Sequence, residues 1–148
     1  MERIKEEFYE KTYTIESVDP YNLALELVNH MTSFGHVNVT KNILTTNGPR
    51  KEAEVHFYLE RKFDRYSKLF FLFKLHADVT TNTLEVSALG LNQLQIPVGG
   101  QIGDVFQKWY LTEIYPEISK KSSDIINQIT KAFEKKVMQL VEEETPEE

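Results

Sequence analysis

The sequence of 148 residues contains no cysteine, one tryptophan, six glycines and five prolines. Without cysteine the chain can form no disulfide, no thiol nucleophile and no cysteine-ligated zinc site. The low glycine and proline content, in a chain that is 41% hydrophobic, is typical of one folded domain and not of a low-complexity protein. No apolar run approaches membrane-spanning length, which predicts no insertion into a membrane.

The charge balance is acidic, with a formal net charge of −6. This charge disfavours general binding to nucleic acid or to an anionic membrane, although a local basic patch could override it. At the tip of a predicted hairpin, Glu60 and Asp64 interleave with basic residues, so we expect no nucleic-acid partner. The basic residues of this tip are Arg61, Lys62, Arg65 and Lys68. The segment Met1–Glu7 is too charged for a signal peptide, and we expect a cytoplasmic protein.

Periodicity along the chain predicts five strands and three helices. We expect Asp19 to cap the first helix, Pro20 to be its first residue and Gly35 to end it. Pro116 is expected to kink or end the second helix. A turn is predicted at Thr46–Pro49. The first four predicted strands are Phe8–Glu16, Val37–Thr45, Glu52–Asp64 and Lys68–Val79. The last strand begins at Thr83 and is expected to end at about Leu91 or to continue through Gly90 to Ile96. The later helices are Asp104–Tyr115 and Glu117–Glu143.

The longest predicted element is the C-terminal helix Glu117–Glu143. Its apolar residues recur in steps of three, four and seven, so they lie on one broad stripe opposite a charged face. Because such a stripe needs a long apolar partner, we expect Ile125 and Ile129 to be buried against a sheet. The stripe consists of Ile118, Ile125, Ile129, Phe133, Val137, Leu140 and Val141, with Ile126 and Ala132 beside it.

The order of these elements indicates a fold class. A strand and a helix are followed by antiparallel strands and then by the long helix. Apolar and polar residues alternate along the strands, as expected for a sheet that is covered on one face only. This order predicts an α+β fold in which a curved antiparallel sheet grips the C-terminal helix. We predict a single domain over residues 1–141 and a disordered acidic tail over residues 142–148.

This layout resembles the helix-grip fold of the START-like superfamily, which includes polyketide cyclases and aromatase-like proteins. The resemblance rests on the strand Phe8–Glu16, the helix after Asp19-Pro20, the hairpin Glu52–Val79 and the helix Glu117–Glu143, and not on a motif. It implies a cavity between the sheet and the long helix that holds a lipid-like or polyketide-like molecule. No catalytic residue carries over from it, and we expect no metal and no cofactor.

Side chains on the predicted inner faces are the candidate ligand-binding residues. If a cavity exists, its wall should combine Phe57, Phe73, Val86, Trp109 and Ile125. The same side chains could instead fill a solid core. We expect a non-enzymatic protein that binds an apolar or amphipathic small molecule. The alternatives are an oligomeric interaction or structural protein with a filled core, and a cyclase- or hydrolase-type enzyme in the same fold.

Two histidines lie on neighbouring predicted strands. A three-residue loop at Arg65–Ser67 would place His56 and His76 opposite each other on the outer face, where two imidazoles could bind a divalent metal. A usual catalytic metal site needs a third protein ligand. If the loop between the two strands were two residues longer, His56 would instead lie opposite Asp78. This pairing is electrostatically more favourable. We therefore expect no metal site.

The strand Lys68–Val79 begins with apolar residues on both of its faces. Phe70 and Leu72 alternate with the inward-facing residues and lie near Tyr58 of the neighbouring strand, on the side that the helices do not cover. A contiguous exposed apolar patch usually marks an interface. We therefore expect a homodimer through Phe70, Leu72 and Tyr58, unless a loop or the N-terminal arm covers them.

Overall fold

The alternating segments of the sequence form a five-stranded antiparallel sheet, and the long C-terminal helix is held against it in a helix-grip-like α+β fold. The computed structural model describes residues 2–47, 50–97 and 100–144. The strands are β1 (Glu2–Glu16), β2 (Val37–Asn47), β3 (Arg50–Lys62), β4 (Ser67–Asp78) and β5 (Thr83–Ile96). The helices are α1 (Pro20–Met31), α2 (Gly100–Trp109) and α3 (Tyr115–Glu144), with a 3₁₀ turn at Thr32–Phe34 and a π-helical turn at Tyr110–Ile114.

Two sequence predictions touch residues that the structure does not describe. Gly48 and Pro49 of the predicted turn lie outside the described residues, as does the part of the predicted acidic tail beyond Glu144. The first residues of that tail belong to α3, which continues to Glu144.

The strand order is β1-β5-β4-β3-β2, with β1 and β2 at the two edges. β1 begins six residues before the predicted strand, because the charged segment Glu2–Glu7 pairs with the end of β5. In this extension Ile4 lies opposite Leu94 and packs with it in an apolar cluster. The N-terminal segment is therefore an edge strand, and its charged residues flank an apolar contact.

A β-bulge changes the facing of residues along β2. Plain alternation would place Val37, Val39 and Ile43 on one face of the sheet. The register with β3 shifts between Val39 and Lys41, however, so Ile43 lies opposite Glu54 on the outer face while Val37 packs against the core. A bulge adds one unpaired residue to a strand, which reverses the facing of every residue beyond it.

The tip of the β3–β4 hairpin is closed by the side chain of Asp64. Its Oδ1 accepts hydrogen bonds from the backbone N–H groups of Tyr66 (2.7 Å) and Ser67 (2.9 Å). The N–H of Phe63 donates to the carbonyl oxygen of Ser67 at 3.0 Å. This Asx turn fixes which residues of β3 and β4 lie opposite each other.

The helices and the inner face of the sheet bury one large apolar cluster. Its aromatic centre comprises Phe57 and Phe73, stacked with ring centroids 4.9 Å apart, and Phe133 of α3, 5.4 Å from Phe73. Ile129 of α3 is buried, as predicted, and Ile125 is half-buried at the edge of the cluster. The stripe of α3 therefore covers the sheet.

The helical chain does not end at Pro116. The N–H of Tyr115 donates to the carbonyl oxygen of Tyr110, which forms the wider π turn that joins α2 to α3. Proline has no N–H to donate, and here it follows directly on this turn without ending the helix. A helix end at Pro116, one of the two predicted outcomes, does not occur. No helix within the described ranges is both long and apolar enough to span a membrane.

Helix α3 packs tightly against the sheet at Gly90 of β5. A Cβ atom built on Gly90 would lie 2.6 Å from Cδ1 of Ile126 and 3.2 Å from its Cγ1. Both residues are buried, so neither can move aside into solvent. A side chain at this position would force Ile126 to shift, because Cδ1 of Ile126 occupies the space beside the Cα atom of Gly90.

We expect Gly90→Ala to lower the free energy of unfolding by about 1–3 kcal/mol through overpacking. Ile126→Val removes the Cδ1 atom and should alone cost about 0.5–1.5 kcal/mol. The double variant should be more stable than the sum of the single changes predicts, by at least about 0.5 kcal/mol. Urea unfolding measures all three, with Ser87→Ala on the exposed face of β5 as control. Simple additivity would show that Gly90 and Ile126 are not coupled.

Candidate functional site

The five predicted ligand-binding residues do not line one cavity. Phe57, Phe73 and Val86 lie together in the main apolar cluster, where all three are buried. Ile125 packs against the edge of this cluster from α3. Trp109 lies apart from them on α2, half exposed, with its ring 5.8 Å from Phe106. The predicted wall that includes Trp109 is therefore not formed, because α2 turns this side chain away from the sheet.

A groove opens between α3, the 3₁₀ turn, the end of β3 and the start of β4. Its inner part has a volume of about 130 Å³. Its outer part, of about 380 Å³, is open to solvent. Ile125 and Arg61 line both parts. The inner part is lined by Phe34, Gly35, Leu59, Glu60, Arg61, Leu69, Phe71, Ile125 and Ile129. The outer part is lined by Arg61, Lys62, Phe63, Lys121, Asp124 and Ile125. We call this the Ile125 groove.

Both parts of the groove combine apolar and charged side chains, and the deepest wall is apolar. The buried side chains of Leu69, Phe71 and Ile129 form the inner wall. At the mouth Arg61 and Lys121 are exposed, and Lys121 lies 3.8 Å from Glu117 in an exposed ion pair, which holds it weakly. This combination suits a molecule with an apolar tail and an anionic group that contacts Arg61 and Lys121 and lies away from the carboxylates of Glu60 and Asp124, which also line the groove. The inner part is smaller than the roughly 300–1,000 Å³ of usual ligand sites, so the tail must be narrow.

A buried hydrogen-bond network anchors the start of α3 to β5. Asn92 donates from Nδ2 to the hydroxyl oxygen of Tyr115 at 3.2 Å and accepts at Oδ1 from the hydroxyl of Ser122 at 2.9 Å. Burial raises the pKa of Tyr115 to about 12, so this phenol keeps its proton. None of these side chains lines the Ile125 groove, so they supply no acid–base pair to it.

A second network joins the hairpin tip to the π turn. The hydroxyl of Tyr110 donates to Oδ2 of Asp64 at 2.7 Å and contacts the hydroxyl of Ser67. Burial raises the pKa of Tyr110 above that of a free phenol, since the neutral form tolerates a dry site better. This bond holds the hairpin tip against the helical segment, which fixes the position of the basic tip residues.

The two histidines considered as metal ligands do not face each other. His56 lies opposite Lys74, and His76 lies opposite Glu54, so both predicted registers were wrong. The Asx turn at Asp64 pairs the strands in a shorter register than either prediction assumed. Burial, with a smaller effect of the nearby lysines, lowers the pKa of His56. In the part of the chain that the structure describes, no three His, Cys, Asp or Glu side chains are grouped as metal ligands.

Sequence reasoning found only part of this groove. It named Ile125, which lies at the margin of the α3 stripe, and it noted Arg61 as part of a basic hairpin tip. It missed Phe34 and Lys121, which come from the 3₁₀ turn and from the charged side of α3. No local pattern marks them, because their proximity depends on how the helices cross the sheet.

Comparison with known proteins assigns this chain to no family. No family model matches the chain, and no curated protein shows significant similarity to it. Among solved structures, the chain aligns with the quaternary ammonium Rieske monooxygenase CntA, crystallised with its substrate L-carnitine, at 10% identity and a TM-score of 0.20. The alignment covers 84% of this chain and 39% of that chain. A TM-score of 0.20 does not indicate a common fold, so nothing about this protein follows from the match.

The raised pKa of Tyr115 predicts a loss of stability in alkali. Its folded pKa of about 12 lies above the ordinary value of 10.0, so its contribution is complete below pH 10.0 and disappears as the pH rises through about 12. Tyr115→Phe should be less stable at neutral pH, because the hydrogen bond from Asn92 is lost, but should lose less stability on going to alkali. Urea unfolding across this pH range measures the difference. Parallel losses in both proteins would contradict the assignment.

Proposed function

We propose that this protein is a START-like binding protein that holds an apolar or amphipathic small molecule in the Ile125 groove, between the sheet and the C-terminal helix. The observation that carries this proposal is the groove itself, with Leu69, Phe71 and Ile129 at its inner end and Arg61 and Lys121 at its mouth. The helix-grip-like arrangement of sheet and α3 supports it.

The shape of the groove favours a narrow tail with an acidic head group. The interior around Phe57 and Phe73 is filled by stacked rings, which leaves the edge of the core as the place for a ligand. A medium-chain fatty acid has the matching chemistry, since its alkyl chain can lie along the apolar side chains of both parts of the groove and its carboxylate suits Arg61 and Lys121. The cytoplasmic location expected from the sequence belongs to this proposal.

Lauric acid and its uncharged analogue dodecanol test the two halves of the groove separately. We expect native mass spectrometry and calorimetry to show one bound molecule of either probe. Ile125→Trp should weaken both by about tenfold or more, because the indole fills the groove. Arg61→Gln with Lys121→Gln should weaken lauric acid alone, since each charged hydrogen bond contributes roughly 1.5–3 kcal/mol when well formed.

The matched control is Lys131→Gln with Lys135→Gln, which removes the same charge from exposed positions further along α3. This variant should bind lauric acid as the wild type does. Trp109 is not expected to report binding, since it lies on α2 and not at the groove. Failure of both probes to bind wild-type protein, with no co-purifying molecule in the native spectrum, would contradict the ligand-binding proposal.

The second candidate is a homodimer through the outer face of the sheet, and an apolar patch there favours it. Tyr58 and Phe70 lie with ring centroids 5.8 Å apart, and Leu72 is half-buried between Tyr58 and Leu89 of the flanking strands. Phe70 in turn lies opposite Leu91. Leu89 of β5 extends this patch beyond the residues that the sequence suggested, whereas Leu91 is buried. Such a face could pack on its own copy about a two-fold axis.

Analytical sedimentation of the wild type at micromolar concentration tests this second candidate. We expect a dimer that Phe70→Lys with Leu72→Lys converts to a monomer, because each of these half-buried side chains would contribute part of the roughly 1.5–3 kcal/mol of complete burial. Asn127→Lys with Gln128→Lys adds the same charge to exposed positions of α3, away from the outer face of the sheet, and should leave the dimer intact. A wild type that sediments as a monomer would rule out this interface.

A further inference from the structure

A small pocket lies on the outer face of the sheet, beside the tip of the β3–β4 hairpin. Its volume is about 80 Å³, and it is lined by Arg65, Tyr66, Lys68, Phe70, Gln93 and Gln95. Two of these residues are cations and two carry amides, and none is a carboxylate. The Ile125 groove differs in this respect, since Glu60 and Asp124 accompany its cations. We call this second site the Arg65 pocket.

Strand pairing brings the polar side chains of the Arg65 pocket together. Gln93 of β5 lies directly opposite Lys68 of β4, so their side chains share one face of the sheet. Gln95 lies two residues further along β5 and therefore on the same face. The backbone N–H of Gln95 donates to the carbonyl oxygen of Tyr66 at 2.8 Å, which holds the hairpin tip, and with it Arg65, against the end of β5. Polar groups from a turn and from two strands thus converge on one point.

The guanidinium of Arg65 has no acidic partner in this pocket. Within residues 2–47, 50–97 and 100–144, no carboxylate forms an ion pair with it. Asp64 precedes it in the chain, but the carboxylate of Asp64 accepts hydrogen bonds from the hydroxyl of Tyr110 and from backbone N–H groups of the hairpin tip. Arg65 is therefore a cation that is available to a ligand.

The second cation of the pocket, Lys68, is only weakly held. It lies 3.0 Å from Glu60 in a half-exposed ion pair, and such pairs contribute little. Lys5 of β1 is exposed and lies opposite the same glutamine from the other side. The next acid on that strand, Glu7, lies two residues from Lys5, about 7 Å along β1. An anion in the pocket would therefore meet cations before it meets a carboxylate.

We propose that the Arg65 pocket binds the phosphate group of a small organic phosphomonoester. The planar guanidinium of Arg65 offers two parallel N–H donors to phosphate, and the ammonium of Lys68 offers a compact charge. Neither Gln93 nor Gln95 has a side-chain hydrogen-bond partner within the described residues, so both amides can turn an N–H towards a ligand. The three oxygens of a phosphate point in different directions, which suits donors from a turn and two strands better than a planar carboxylate does.

The apolar side of the pocket limits what the phosphate is attached to. A volume of about 80 Å³ is small beside the roughly 300–1,000 Å³ of usual ligand sites, so the pocket holds one functional group and the organic part lies outside it. The half-buried ring of Phe70 forms the adjoining wall, on which an aromatic group can stack. Phe70 also belongs to the outer-face patch of the second candidate function, so this ligand and that dimer would compete for it.

Calorimetric titration of the full chain with phenyl phosphate tests the proposal, with benzoate as the carboxylate comparison. We expect one bound phenyl phosphate and weaker binding of benzoate. Arg65→Gln with Lys68→Gln should weaken phenyl phosphate binding by at least about tenfold, because charged hydrogen bonds are lost. Gln93→Glu adds a carboxylate to the wall with almost no change of shape and should abolish binding through repulsion.

Three variants control for general charge effects. Lys131→Gln with Lys135→Gln removes two exposed charges from α3, and Gln128→Glu adds a carboxylate at an exposed position of the same helix. Arg61→Gln with Lys121→Gln removes the cations of the Ile125 groove, which is a separate site. All three should bind phenyl phosphate as the wild type does.

Absence of binding to the wild type at millimolar phenyl phosphate would overturn the proposal, as would unchanged binding by the Gln93 variant. Equal affinity for benzoate would overturn the choice of phosphate. Loss of binding in the Arg61/Lys121 variant alone would place the anion in the Ile125 groove. Because lipid head groups carry the same phosphate, vesicles with phosphatidic acid are tested in parallel. Flotation with these vesicles without binding of phenyl phosphate would overturn the assignment to a small molecule.

Discussion

The contact between Ile126 and Gly90 is the constraint on which the rest of the structure depends. Because no side chain projects from Gly90, the Ile126 side chain reaches the backbone of β5 and draws α3 against the centre of the sheet. Phe133 then meets Phe73 further along the helix, and the aromatic centre of the core closes. The buried bonds from Asn92 to Tyr115 and from Ser122 to Asn92 hold the beginning of the same helix. The position of α3 is thus set by packing and by hydrogen bonds together.

This close packing explains why the candidate site lies at the edge of the core and not at its centre. Where Ile126 is pressed onto Gly90, no space remains for a ligand. Ile125 faces the margin, where the 3₁₀ turn and the ends of β3 and β4 leave a groove. The hairpin tip, held by Asp64, places Arg61 at the mouth of that groove. The basic hairpin therefore contributes to the proposed contact with a small amphipathic molecule.

Much of the fold was predictable because it depends on local periodicity. The strand alternation, the capping of α1 at Asp19 and the stripe of α3 all appear in consecutive residues. The extension of β1 to Glu2 was not predictable, because it depends on pairing with a distant strand. The site was found in part only: Ile125 and Arg61 were named, whereas Phe34 and Lys121 enter the groove through the crossing of separate elements.

The sequence by itself determined the α+β class, the number of strands and which face of most strands is apolar, since these follow from the 2.0 and 3.6 residue periods of strand and helix. Only the tertiary structure decided the facing of α2. The same apolar residues, Val105 and Trp109, would suit a core or an exposed stripe, and periodicity defines a face without saying what it meets. The direction of α2 is set by the π turn and by Tyr110 bonded to Asp64, contacts between residues far apart in the chain.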